Sequence, residues 1–131
     1  MTVGRSTSPT HQVGAQAEDV ALAYLQQHGC ELVARNFACR MGEIDLVMQV
    51  KAVVPPVLLF VEVRARRRSS FGDAIMSVTA RKQQKLWKTA AYFLQCHPQF
   101  ADYECRFDVI GVQLGQQPVQ IEWIPAAFMG V

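Results

Sequence analysis

No CxxC pair occurs among the four cysteines, Cys30, Cys39, Cys96 and Cys105, and no histidine stands near them at the spacing of a zinc site. A zinc module and a dithiol redox motif are therefore not expected. The first residues, Met1 to Thr10, are polar and contain no apolar core of the kind a secretory signal has. No uninterrupted apolar run is long enough to cross a bilayer, because Pro55 and Pro56 break the best candidate. These absences point to a cytoplasmic protein with reduced thiols and no membrane partner. Acids are also scarce in one stretch. Between residues 64 and 88, Arg64, Arg66, Arg67, Arg68, Arg81, Lys82, Lys85 and Lys88 face the single acid Asp73. A net charge of only +2 thus conceals a concentrated positive segment.

What is present fits one globular domain. The 131 residues are half apolar and 18% charged, enough to bury a core and unlike a disordered chain. Residues 1–10 read as a flexible tail and 11–131 as a single domain. Val13, Ala17, Val20, Ala21, Tyr24 and Leu25 recur at helical spacing between His11 and His28, with Gly29 as a stop. Cys30 to Phe37 reads as a strand. Glu43 to Val50 alternates, placing Ile44, Leu46, Met48 and Val50 on one face and Glu43, Asp45, Val47 and Gln49 on the other. Val57 to Arg64 is almost wholly apolar, as strands buried on both faces are. Thr79 is placed to cap a helix reaching Cys96, with Leu86, Ala90, Phe93 and Leu94 on its stripe. Two strands follow, Glu104 to Leu114 and Val119 to Ile124. The fold class is α/β (α+β), in the order α-β-β-β-α-β-β: a hairpin feeds a strand–helix–strand crossover.

Two of these strands carry an acid where one is expensive. An ionised carboxylate in an apolar run needs a cation or hydrogen bonds to compensate it. Asp45 lies in Gly42-Glu43-Ile44-Asp45-Leu46-Val47 and Glu62 in Phe60-Val61-Glu62-Val63-Arg64, and a hairpin between the strands brings the two together. Period-two alternation turns Glu62 and Arg64 the same way. The two carboxylates and the Val63 carbonyl supply hard oxygens of the kind magnesium takes. A metal there would polarise a phosphate oxygen and activate water. Glu18, one helical turn after Gly14, is a third candidate acid. The structural alternatives are exposed surface acids at Glu18 and Asp45, or an ion pair of Arg64 with Glu62 or Asp45.

Gly14-x-x-x-Glu18, Asn36-Phe37, the Asp45 and Glu62 segments, Arg106-Phe107-Asp108 and Ala127-Phe128 together resemble the YraN-like family of small bacterial proteins. That family resembles a branch of the PD-(D/E)XK nuclease superfamily, similar to Holliday-junction resolvases. The resemblance implies a restriction-endonuclease-like fold, a mixed central sheet flanked by helices. It also implies an acid from the first helix, here Glu18, and metal ligands at Asp45 and Glu62, with Mg²⁺ or Mn²⁺ as the ion. The pattern has lysine two residues after the second acid, where Arg64 stands here. Arginine stays protonated and cannot serve as a base, but it can hold the scissile phosphate. Lys82, matching a lysine usual in the family, is the other cation that fits the role.

Arg66, Arg67 and Arg68 follow directly from the acids, and Arg81, Lys85 and Lys88 continue the basic patch on the next helix, as phosphate contacts would require. Nothing resembles a base-reading helix, so DNA recognised by shape, including branched DNA, is the expected partner. Trp87 and Tyr92 are expected in the core, Phe71 has the alternative of stacking on a base, and the cysteines read as small core residues. His11, His28 and His97 have no clustered partners, and Arg106 with Asp108 reads as a structural pair. Three functions fit: a metal-dependent DNA endonuclease, a noncatalytic nucleic-acid-binding module on the same fold, or a protein-interaction subunit. A homodimer fits the resolvase resemblance.

Overall fold

The computed structural model describes residues 9–66, 77–115 and 117–128, and for residues 9–13 and 66 only the backbone. Helix α1 spans Pro9–Gln27, strands β1 Glu31–Cys39, β2 Gly42–Val50 and β3 Val57–Arg66, helix α2 Ala80–Cys96, and strands β4 Glu104–Gln113 and β5 Gln120–Phe128. The order α-β-β-β-α-β-β is as read from the sequence. Helix α1 begins two residues before the expected start, so residues 1–8 of the expected tail lie outside the described residues. The last strand runs four residues past Ile124. Among the described residues no helix is long and apolar enough to cross a membrane.

Local chemistry sets the element ends. Gly29, at φ 88°, takes the left-handed conformation that ends α1, and the Cys30 amide returns to the Leu25 carbonyl at 3.0 Å. Thr79 caps α2, its hydroxyl accepting from the Lys82 amide at 3.3 Å. The hairpin between β1 and β2 turns tightly at Gly42, where an added Cβ would sit 3.1 Å from Thr89 Oγ1, so the tip lies directly on α2.

The strands form one sheet in chain order, β1 to β5. All neighbours are antiparallel except β3 and β4, which run parallel with α2 as their crossover. Each helix covers one face. Ala17, Ala21 and Leu25 of α1 pack with Leu46, Met48, Leu59, Val61, Ile110 and Val112. Leu86, Ala90 and Phe93 of α2 pack on the other face with Ile44, Val47, Leu58, Phe60, Phe107 and Val109. The central strands β3 and β4 are thus buried on both sides, which accounts for their continuous apolar runs.

Several expectations need correction. Ile44 lies on the α2 face, away from Leu46 and Met48, because the alternation of β2 breaks between Ile44 and Leu46. Tyr92 is 40% exposed, since it falls beside the Leu86–Ala90–Phe93 stripe rather than on it. Of the cysteines only Cys30 is in the core. Cys39 is half-buried, and Cys96 and Cys105 are exposed near element ends; all four are free. Gly14, one turn before Glu18, stands in open space: an added Cβ there meets nothing within 4 Å. Trp87 packs on Phe107 with centroids 5.3 Å apart, as a core-facing ring should.

Arg106 and Asp108 form the expected structural pair. Asp108 is fully buried on β4 and accepts from Arg106 Nε (2.9 Å) and Nη2 (3.2 Å), Trp123 Nε1 (2.9 Å) and the Ala126 amide (3.0 Å). Ala126, at φ 50°, lies where the β4–β5 register shifts, so one carboxylate fastens an irregular edge strand to the sheet. Replacing Asp108 with Ala leaves these donors unpaired and should cost about 3–5 kcal/mol in urea unfolding. A loss below about 1 kcal/mol would show that the edge holds without it.

Candidate metal and phosphate site

The ladder between β2 and β3 runs from Val50↔Val57 to Leu46↔Val61 and stops there. The next pair would be Asp45 opposite Glu62. Instead of a backbone partner, the Val63 amide finds Asp45 Oδ2 at 2.8 Å. In an extended strand the N–H and C=O of one residue leave the same edge. By that geometry the Val63 carbonyl leaves toward the same opening.

Charged groups enter the opening from both faces of the sheet. Glu62 and Arg64 share the face of Phe60, on the α2 side, and Arg64 Nη2 holds Glu62 Oε2 at 2.9 Å. Lys82, exposed in the first turn of α2, is close enough for its charge to act on Glu62. On the α1 side, Glu18 lies near enough for its charge to act on Asp45. Arg35 of β1, paired with Leu46, holds Glu18 through Nε at 3.3 Å and Asp19 through Nη2 at 2.7 Å.

Sequence reasoning missed Arg35. Its partners lie 16 and 17 residues earlier, on a helix whose docking is set by the sheet, and no local spacing marks it. The acids and cations expected at the site do gather: Asp45, Glu62, Val63 and Arg64 directly, with Glu18 and Lys82 at its two sides. Arg81, Lys85 and Lys88 are exposed on α2. The Arg66 side chain, Arg67, Arg68 and Phe71 lie outside what the structure describes. His28 and His97 stay apart from the acids, bonded to the Tyr24 and Phe93 carbonyls of their own helix ends.

The electrostatics of the acid pair are unbalanced. Burial and the neighbouring Asp45 carboxyl outweigh Arg64 and Lys82 and push Glu62 up to about 8. Asp45 is pushed up to about 6, again chiefly by burial, with the Val63 hydrogen bond opposing the shift. Glu62 Oε1 and Arg64 Nε are buried without a partner among the described residues. An orphaned carboxylate oxygen beside a second raised acid fits a divalent cation, whose charge would replace the missing compensation. Among the described residues no three His, Cys, Asp or Glu side chains gather as a cage. Two carboxylates and a carbonyl suit magnesium, which keeps several waters and takes substrate oxygens for the rest.

The same shifts fix a pH dependence. The folded state holds protons that the unfolded chain releases near the ordinary carboxyl value of 4.5, and keeps them up to about 8. Metal-free stability is therefore greatest at the acid end and declines as pH rises through that window, reversing the usual carboxylate behaviour. The slope should approach about 1.4 kcal/mol for each pH unit inside that window, since one proton is at stake. Glu62→Gln should flatten it in urea melts followed across pH. A wild-type stability that rises over the same range would contradict these shifts.

The profile of the family described as "Uncharacterised protein family UPF0102" matches residues 17–112. A UPF0102 protein of Psychrobacter sp. (strain PRwf-1) is 46% identical over 129 residues, covering 93% of this chain and 91% of that protein. A UPF0102 protein of Stutzerimonas stutzeri (strain A1501) is 44% identical over 121 residues, covering 92% and 98%. Among solved structures, Pyrococcus furiosus SfsA in complex with Ca²⁺ superposes at a TM-score of 0.32 with 12% identity. This chain spans 64% of its length, and a likeness that loose carries no weight.

Proposed function

The chain belongs to the UPF0102 family, and from that premise we propose that it is a magnesium-dependent DNA endonuclease acting on branched or otherwise structured DNA. The observation that carries the reading is the opening beyond Leu46↔Val61, where two half-buried acids face one another with a buried, uncompensated oxygen. The mixed sheet with a helix on each face also suits the restriction-endonuclease-like architecture that the motifs resemble.

Asp45, Glu62 and the Val63 carbonyl would hold the ion. A bound Mg²⁺ supplies Lewis acidity and a water of lowered pKa. The chain's own groups do the rest. Arg64 keeps its proton at all working pH values, so it acts as a clamp rather than a base. Its Nη2 is tied to Glu62 while its buried Nε lacks a partner, which suits a phosphate oxygen placed against the acids. Lys82 adds a second cation from the start of α2. Glu18, steadied by Arg35, orients water on the far side of Asp45. Arg81, Lys85 and Lys88 extend the phosphate track along a helix whose residues 80–96 include no acid.

A noncatalytic DNA-binding role is the second reading, and Arg64 in the lysine position favours it. Labelled duplex, flap and four-way-junction DNAs with Mg²⁺ or Mn²⁺ separate the two. Cleavage is expected, with Asp45→Asn reducing it about a hundredfold while low-salt binding persists. Unchanged cleavage by that variant would remove Asp45 from the site. Binding without cleavage by the wild type selects the second reading, and no binding at low salt leaves a protein-interaction role.

The basic track has its own measure. Changing Arg81, Lys85 or Lys88 to Ala should each lower the salt slope of DNA binding by about one, with similar effect on unrelated sequences. A slope that stays constant in all three variants would place the phosphates elsewhere.

A further inference from the structure

We propose that Asn36 is a positioning residue for the acidic site: its left-handed backbone turns the β1–β2 hairpin over and directs Asp45 into the opening beside β3. The proposal rests on reading that opening as the metal site. Asn36 stands in the middle of a nine-residue strand at φ 55°, a region that L-residues other than glycine rarely occupy and asparagine tolerates best. The flanking pairs are Arg35↔Leu46 and Phe37↔Ile44, so Asn36 lies opposite Asp45, the one position between them without ladder pairing.

Both strands exchange faces at this level. Residues two apart in a strand share a face. Yet Arg35 reaches Glu18 on the α1 side, whereas Phe37 packs on Phe93 of α2 with centroids 5.0 Å apart. Across the hairpin, Leu46 belongs to the α1 core and Ile44 to the α2 core. One left-handed residue accounts for the reversal with no change of register, since Arg35↔Leu46 and Phe37↔Ile44 keep the same register and the shift in this pair lies between Leu32 and Ala34. Two charges depend on the reversal. Asp45, released from pairing with β1, turns to the Val63 amide, and Arg35 stays on the side where Glu18 can be held.

The Asn36 side chain is exposed and has no hydrogen-bond partner among the described residues. What the position requires is the backbone conformation. Glycine should therefore replace asparagine without loss, and a β-branched residue should not.

The test compares Asn36→Gly with Asn36→Val in the full chain, using two readouts that need no DNA. One is the amide resonance of Val63, which reports the hydrogen bond to Asp45. The other is Mn²⁺ affinity from water-proton relaxation. Asn36→Gly should keep both. Asn36→Val should move the Val63 resonance and weaken Mn²⁺ about tenfold or more. If Asn36→Val does not fold by circular dichroism, Asn36→Ala carries the same comparison. The proposal is overturned if Val63 stays in place in the folded Val or Ala variant, or if Asn36→Gly loses the resonance as well. Wild-type protein that binds no Mn²⁺ would refute the metal reading, while the Val63 arm still decides the positioning.

Discussion

A buried backbone N–H must be paired, and β2 cannot pair the one on Val63 because its ladder with β3 has already stopped. Asp45 does so with a side chain. That substitution of carboxylate for carbonyl keeps the sheet closed in energetic terms while leaving it open in space. It also fixes the second Asp45 oxygen and the Val63 carbonyl at the same gap. Loss of the contact would strand a donor in the middle of the sheet, so the position of the acid is enforced by the fold itself. The hydrogen bond also opposes the upward push that burial exerts on Asp45.

The molecule contains an internal comparison. Asp108 is more deeply buried than Glu62, but four donors converge on it and both its oxygens are used. Glu62 has one guanidinium on one oxygen and nothing on the other. Burial alone therefore does not separate a fully bonded acid from an under-bonded one. Completeness of the hydrogen-bond set does. Asp108 secures an edge; Glu62 remains short of one positive partner.

Much of this was legible in the sequence because it depended on local pattern. The caps at Thr79 and Gly29, the apolar runs of β3 and β4, and the shared face of Glu62 and Arg64 all follow from neighbours a few residues apart. What escaped depended on tertiary geometry. Strict alternation put Ile44 with Leu46, and only a left-handed Asn36 on the partner strand reverses it. Arg35 looked like any strand arginine until α1 docked its acids beside it. The exposure of Cys96, Cys105 and Tyr92 follows from where elements end and how α2 is rotated, which composition does not encode.

The arginine in the lysine position changes how such a site must work. A lysine can approach neutrality when buried, so it can both bind phosphate and move a proton; a guanidinium can only bind. Under the proposed function, proton traffic would then fall to the carboxyls, whose proton affinities are raised toward the neutral range. Cation binding requires them deprotonated, so under the proposed reading loading the site releases protons and becomes more favourable as pH rises. On that reading the acids exchange one compensating charge for another: protons that stabilise the empty fold, or the proposed metal.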